Sequence, residues 1–146
     1  MRGDVGQVRN SKGEFLITKR HPDKKAGNLW EFTGGGTLAG ESTKQSAVRE
    51  LQEETGIQAK ESELQLFVTY QHKNYFQNLF LLCKDIEISK VVLQPGETID
   101  AKWATEETIL QMIENGEFAG SFTAWRKVTV NQIRHGCTYI NKMLHA

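Results

Sequence analysis

Glu50, Glu53 and Glu54 stand in a short segment that opens with Gly34-Gly35-Gly36 and closes at Gly56. On a helix, spacings of three and four residues place these carboxylates on one face, within about 100° of arc. Like charges so close cost an unliganded helix roughly a few tenths of a kcal/mol per pair. They also fall in the last turns, at the negative end of the helix dipole, where acidic side chains are disfavoured. Arg49 can neutralise one of these charges but not three. A divalent cation relieves the repulsion directly, and hard carboxylate oxygens suit Mg²⁺ or Mn²⁺. A solvated acidic face is the competing reading, and the adjoining glycine loop weighs against it. Three consecutive glycines permit close backbone approach and expose carbonyls where a Cβ would crowd a ligand.

Upstream lies a basic loop, Lys19-Arg20-His21-Pro22-Asp23-Lys24-Lys25. Lys and Arg beside a metal site suit the non-bridging oxygens of a diphosphate, Arg through a bidentate fork. Arg20 and Lys24 are the candidates for that role, whereas Lys25 reads as a solvated surface charge.

These groups need a scaffold. From Ser42 to Thr55 the pattern is helical, with Ala47, Val48 and Leu51 pointing roughly 110° away from the carboxylates. Ser42 or Glu41 starts this helix and Gly56 stops it. Phe15-Leu16-Ile17 follows the turn signal Asn10-Ser11-Lys12-Gly13, which predicts a hairpin whose first strand, about Val5 to Arg9, is short and weakly apolar. Leu64 to Gln71 and Tyr75 to Lys84 read as two more strands. The second is the most apolar stretch and is expected to be central in the sheet. Tyr70, Tyr75 and Phe76 on this pair could stack on a base, although core packing is the commoner use of such rings. Ile99 to Trp103 is a further strand, Thr105 to about Gly116 a helix, and about Ser121 to Leu144 a long final helix. Strands mixed with three helices predict one α/β domain over residues 1–146, an α/β/α sandwich around a mixed sheet.

The spacing of the acidic segment carries a resemblance. Gly35 to Ile57 fits a 23-residue template without substitution: Gly, five residues, Glu41, seven residues, then Arg49-Glu50-Leu51-x-Glu53-Glu54-x-Gly56-Ile57. A chance match in so short a chain is on the order of one in ten million at average residue usage. This segment resembles the Nudix box, and the chain is identified as a member of the Nudix hydrolase superfamily. The resemblance implies the Nudix fold and a loop-helix-loop in which Glu50, Glu53 and Glu54 hold the metal with a carbonyl near Gly35. It also implies that Arg49 pairs with another box carboxylate, Glu41 being the natural candidate. The activity implied is attack of water on the diphosphate of a nucleoside diphosphate linked to another moiety. A general base must reach that water. Glu50 is one candidate, and many family members use a downstream loop instead. Glu97, Asp100 and Glu106 lie near such a position, and Glu97 is chosen because it follows Pro95-Gly96. A solvated loop acid is the rival reading.

Arg20, Lys24 and the Trp30 to Gly36 segment are similar to isopentenyl-diphosphate isomerase and its hydrolase relatives, in which the matching Arg and Lys contact the diphosphate. That resemblance raises isomerisation as a second activity. The isomerase, however, has a Cys centre where this chain reads Thr33-Gly34-Gly35, and it lacks the full glutamate array kept here. A non-catalytic nucleotide-binding domain is a third reading, disfavoured because every box glutamate is present.

Composition bounds the partners. Eighteen basic residues balance eighteen acidic ones over 146 positions, so no global field draws the chain to nucleic-acid polymers or membranes. The N-terminus has no apolar run of the signal-peptide kind, and no stretch approaches the ~18 apolar residues of a membrane span. Cys83 and Cys137 lack a paired-spacing motif and read as free thiols of a reducing cytoplasm. The four histidines are scattered and read as surface residues. The expected partner is a small diphosphate, a nucleotide by family resemblance, and relatives make a homodimer an ordinary assembly.

Overall fold

The computed structural model describes residues 2–71, 73–74 and 76–119. Seven strands form one mixed sheet among these residues. They are β1 (Arg2–Arg9), β2 (Phe15–Arg20), β3 (Trp30–Glu31), β4 (Thr33–Gly36), β5 (Gln65–Gln71), β6 (Phe76–Cys83) and β7 (Thr98–Ala104). The main path runs β3-β2-β1-β6-β5, while β4 pairs with β1 and β7 with β2. Among these seven strands only the β1–β6 pairing is parallel.

Helices α1 (Thr43–Thr55) and α2 (Glu106–Glu114) cover opposite faces, as the period-two alternation of β2 shows. Phe15 and Ile17 join Leu79, Leu81, Ile109 and Met112 on the α2 side. Leu16, between them, joins Val8, Ala47, Leu51, Phe80 and Leu82 on the α1 side. This is the expected α/β layering of helix, sheet and helix. The third helix expected over Ser121 to Leu144 lies outside the described residues.

β6 is interior, yet the middle strand is β1, which the sequence presents as short and weak. It is eight residues long and pairs with β2, β4 and β6. Its low hydrophobicity has a structural cause. Gly6 and Gln7 are both buried, Gln7 being 1% exposed, so a central strand carries residues that read as polar or featureless. The hairpin to β2 closes as expected: Asn10 O accepts from the Gly13 amide at 3.1 Å, and Gly13 has φ +79°.

Cys83 is half of a disulfide, which overturns its reading as a free thiol. Cys137, the other cysteine of the chain, lies outside the described residues. A separation of 54 positions says nothing about proximity in space, so the spacing argument had no power here. The inference of a reducing compartment loses its support. Among the described residues no helix is long and apolar enough to cross a membrane.

Candidate active site

α1 begins with a capping box. Ser42 Oγ accepts from the Gln45 amide at 3.2 Å, and Gln45 Oε1 accepts from the Ser42 amide at 2.9 Å. At the other end Gly56, at φ +73°, donates its amide to Gln52 O. Between these stops the helix lies along β1 and β4, which brings its glutamates onto the glycine strand.

Arg49 organises the near half of the site. Its Nε and Nη2 grip Glu41 at 2.8 and 3.1 Å, the fork expected between these two residues. Its Nη1 donates to Glu50 at 2.9 Å and to Glu53 at 3.1 Å, and its Nη2 also reaches the Gly36 carbonyl at 3.0 Å. Five hydrogen bonds engage all the N–H groups of the guanidinium. Arg49 therefore touches three carboxylates, where charge counting on the sequence assigns it one. Its hydrogen bonds to Glu41, above all, strengthen its hold on its proton. In return Arg49, helped by the Leu38 amide, keeps the Glu41 carboxyl below the ordinary carboxylate range.

Arg49→Lys is accordingly expected to lower unfolding free energy by about 1–2 kcal/mol, because an ammonium cannot fork across Glu41 while reaching Glu50 and Glu53. Urea unfolding measures this, and an unchanged midpoint would contradict the organising role.

Glu54 is the exception to Arg49's reach. Its side chain is buried, with 8% of the residue exposed, and its Oε2 has no hydrogen-bond partner among the described residues. Burial raises its pKa to about 8, with the negative charges of Glu31 and Glu50 adding to the rise. Lys24 and the Gly34 amide oppose it. A solvated acidic face is thus the wrong description of at least this glutamate.

Gly35 explains the glycine loop. A Cβ there would lie 2.4 Å from the Glu50 carboxyl carbon, so the Glu50 carboxylate occupies the space a side chain would take. Its backbone φ is not in the left-handed region, and close approach is what requires glycine.

The basic loop folds back over β2. Arg20 Nη1 pairs with Glu31 at 2.8 Å and its Nε donates to Lys25 O at 2.9 Å. Lys24 pairs through Nζ with Glu97. Lys24 and Glu31 both act electrostatically on Glu54, which ties the basic loop to the carboxylate cluster. The structure therefore links Arg49, Glu50, Glu53 and Gly35 directly, and sets Glu54, Lys24 and Glu97 in sequence beside them. Glu31 is a member of this cluster that motif spacing does not pick out. The available signal was a lone acid between Trp30 and Phe32, directly before the glycines.

An all-oxygen donor set with a buried, unpartnered carboxylate oxygen fits a hard divalent cation. Among the described residues no three His, Cys, Asp or Glu side chains already converge as a metal-holding group. Glu50 and Glu53 turn to Arg49, and each would exchange one of its N–H groups for the ion.

A mixed sheet between helices, with a glycine strand facing a glutamate-bearing helix, defines a known class of hydrolase domain. The chain belongs to the Nudix family: the NUDIX domain model matches residues 3–127. It is similar to an uncharacterized Nudix hydrolase of Listeria monocytogenes, 36% identical over 115 residues, covering 77% of this chain and 68% of the relative. It is 41% identical over 75 residues to the 8-oxo-dGTP diphosphatase of Escherichia coli, covering 51% of this chain and 50% of that one. A solved structure from work on MutT of Aliivibrio salmonicida and Vibrio cholerae matches with TM-score 0.68 at 29% identity, covering 90% and 99% of the two chains. The protein is a Nudix-type hydrolase. Nudix hydrolases generally use divalent metals.

Proposed function

We propose that the protein is a metal-dependent pyrophosphohydrolase that cleaves the diphosphate bond of a nucleoside diphosphate linked to another moiety. The observation that supports this best is Glu54, a buried carboxylate with an unpartnered oxygen, held beside Glu50 and the Gly35 cradle. Glu50, Glu53 and Glu54, with the Gly35 carbonyl, would hold Mg²⁺ or Mn²⁺. Bound there, the ion supplies charge neutralisation on the diphosphate and a more acidic water.

The chain's own groups do the rest. Arg49 fixes the directions of Glu41, Glu50 and Glu53. Arg20, steadied by Glu31, keeps Nη2 without a protein partner among the described residues, available to a phosphate oxygen. Glu50 serves as general base when it is not committed to the ion. The likeness to the 8-oxo-dGTP diphosphatase of Escherichia coli supports a nucleotide as substrate. We place the enzyme in the cytoplasm on the class of its substrate alone, since the Cys83 disulfide lends that compartment no support, and treat residues 1–146 as one domain able to form a homodimer.

A panel of nucleoside diphosphate derivatives with Mg²⁺ or Mn²⁺, read as phosphate after phosphatase coupling, tests the reading. Metal-dependent turnover is expected, and Glu53→Gln is expected to lower it on the order of 10²-fold or more. Equal turnover in that variant would remove Glu53 from the site. Isomerisation of isopentenyl diphosphate without phosphate release would select the isomerase activity. Tight nucleotide binding without any turnover would select a non-catalytic domain.

A further inference from the structure

The geometry points to Glu97 as the positioning residue for Lys24, aiming its ammonium at the substrate diphosphate, and not as the general base. This rests on the pyrophosphohydrolase reading.

Residues 21–28 form a built loop. A Cβ on Gly27 would lie 2.4 Å from Pro22 O, so the loop packs against itself. Ala26 and Asn28 both take positive φ, at 57° and 64°, and the Asn28 amide returns to Arg20 O at 3.0 Å. The Lys24 amide is tied to His21 O at 3.1 Å.

The turn at residues 95–97 then fastens this loop twice. The His21 amide donates to the Glu97 carbonyl at 2.9 Å, and Lys24 Nζ pairs with the Glu97 carboxylate. The turn has its own reason to be rigid: Gly96 sits at φ +77°, and the Glu97 and Thr98 amides both return to Gln94 O at 3.1 Å. Backbone and side chain of one residue thus hold two points of the basic loop, Lys24 lying 73 positions away in sequence.

The Lys24 ammonium has three N–H donors, and Glu97 is that group's one hydrogen-bond partner among the described residues. Its remaining donors are available to an anion, and its charge already acts on Glu54. An unrestrained lysine loses much rotamer freedom when it binds a ligand, and a preset one loses less.

The position suits a base poorly. A base works best when its pKa lies near the working pH. The hydrogen bond and charge of Lys24, with Arg20 and His21 adding to them, hold the Glu97 carboxyl below the usual range.

The test uses Glu97→Gln, Lys24→Gln and the double variant in the full chain. With a substrate from the panel, Glu97→Gln is expected to raise KM about fivefold while kcat stays within about twofold. Lys24→Gln should raise KM at least as much, and the double variant no further than Lys24→Gln alone. Binding of methylenediphosphonate with Mg²⁺, measured by calorimetry, should weaken by the same factors. That readout keeps the inference testable if no substrate on the panel turns over, the outcome that would count against the pyrophosphohydrolase reading itself. If Glu97→Gln instead slowed turnover at saturating substrate on the order of a hundredfold, with loss of the acidic limb of the pH profile, Glu97 would be the base and the proposal overturned. Additive effects in the double variant, or unchanged KM and binding in Glu97→Gln, would overturn it equally.

Discussion

Glu54→Gln should yield a protein that, without metal and at alkaline pH, melts at a higher temperature than its parent, yet turns substrate over on the order of 10²-fold more slowly with metal. Both effects come from one buried carboxyl group. Burial first, then the charges of Glu31 and Glu50, raises its pKa from the ordinary 4.5 to about 8. The folded chain therefore keeps a proton that the unfolded chain has already released. The resulting stabilisation is complete below about pH 4.5 and is lost as pH rises through about 8. A shift of this size corresponds to on the order of a few kcal/mol. The amide that replaces the carboxyl does not titrate, so the variant's stability contribution at this position stays flat across that window.

Thermal melts in chelator from about pH 5 to pH 9 check this. The parent should fall behind the variant progressively as pH rises, and the two curves should close at the acid end. Adding Mg²⁺ should recover the parent at high pH and do little for the variant. Parallel curves would show that Glu54 carries no such charge burden.

Gly35→Ala is the second large effect, and its signature is the reverse: stability kept and activity lost. The new Cβ would meet Glu50 at 2.4 Å from Cδ and Oε1 and 2.7 Å from Oε2. These atoms are the far end of a flexible side chain, so the carboxylate swings aside and the fold survives. Unfolding free energy should change by less than about 1 kcal/mol. Turnover should fall on the order of 10²-fold, because a displacement of about 1 Å at a catalytic group has that scale of effect. Gly6→Ala is the control, since a Cβ on this glycine of the same sheet meets nothing within 4 Å. A Gly35→Ala enzyme as active as the control would show that Glu50 need not lie where it does.

Legibility in the sequence followed the range of the interaction. Strand and helix bounds were close wherever periodicity and punctuation agreed, as from the Ser42 cap to the Gly56 stop. β1 was underestimated because Gly6 and Gln7 read as non-core, although both are buried in the middle of the sheet. The disulfide at Cys83 was misread because pairing depends on a distance that spacing does not encode. Arg49's pairing with Glu41 followed from the family resemblance. Its simultaneous hold on Glu50, Glu53 and the Gly36 carbonyl depends on where β4 lies against α1.

By itself, the sequence determined the class of protein and the residues that could bear a divalent ion. The period of a helix puts three glutamates on one face, and the box spacing belongs to one family. Only the tertiary structure decided that these glutamates are not equivalent. Helix α1 lies against β4, so Glu53 stays solvent-facing under Arg49, Glu50 fills the space over Gly35, and Glu54 is buried among like charges. The antiparallel pairing of β7 with β2 brought the turn at Glu97 onto Lys24. Burial and long-range pairing set the strength of every charge in this site, and both arise only when distant segments meet.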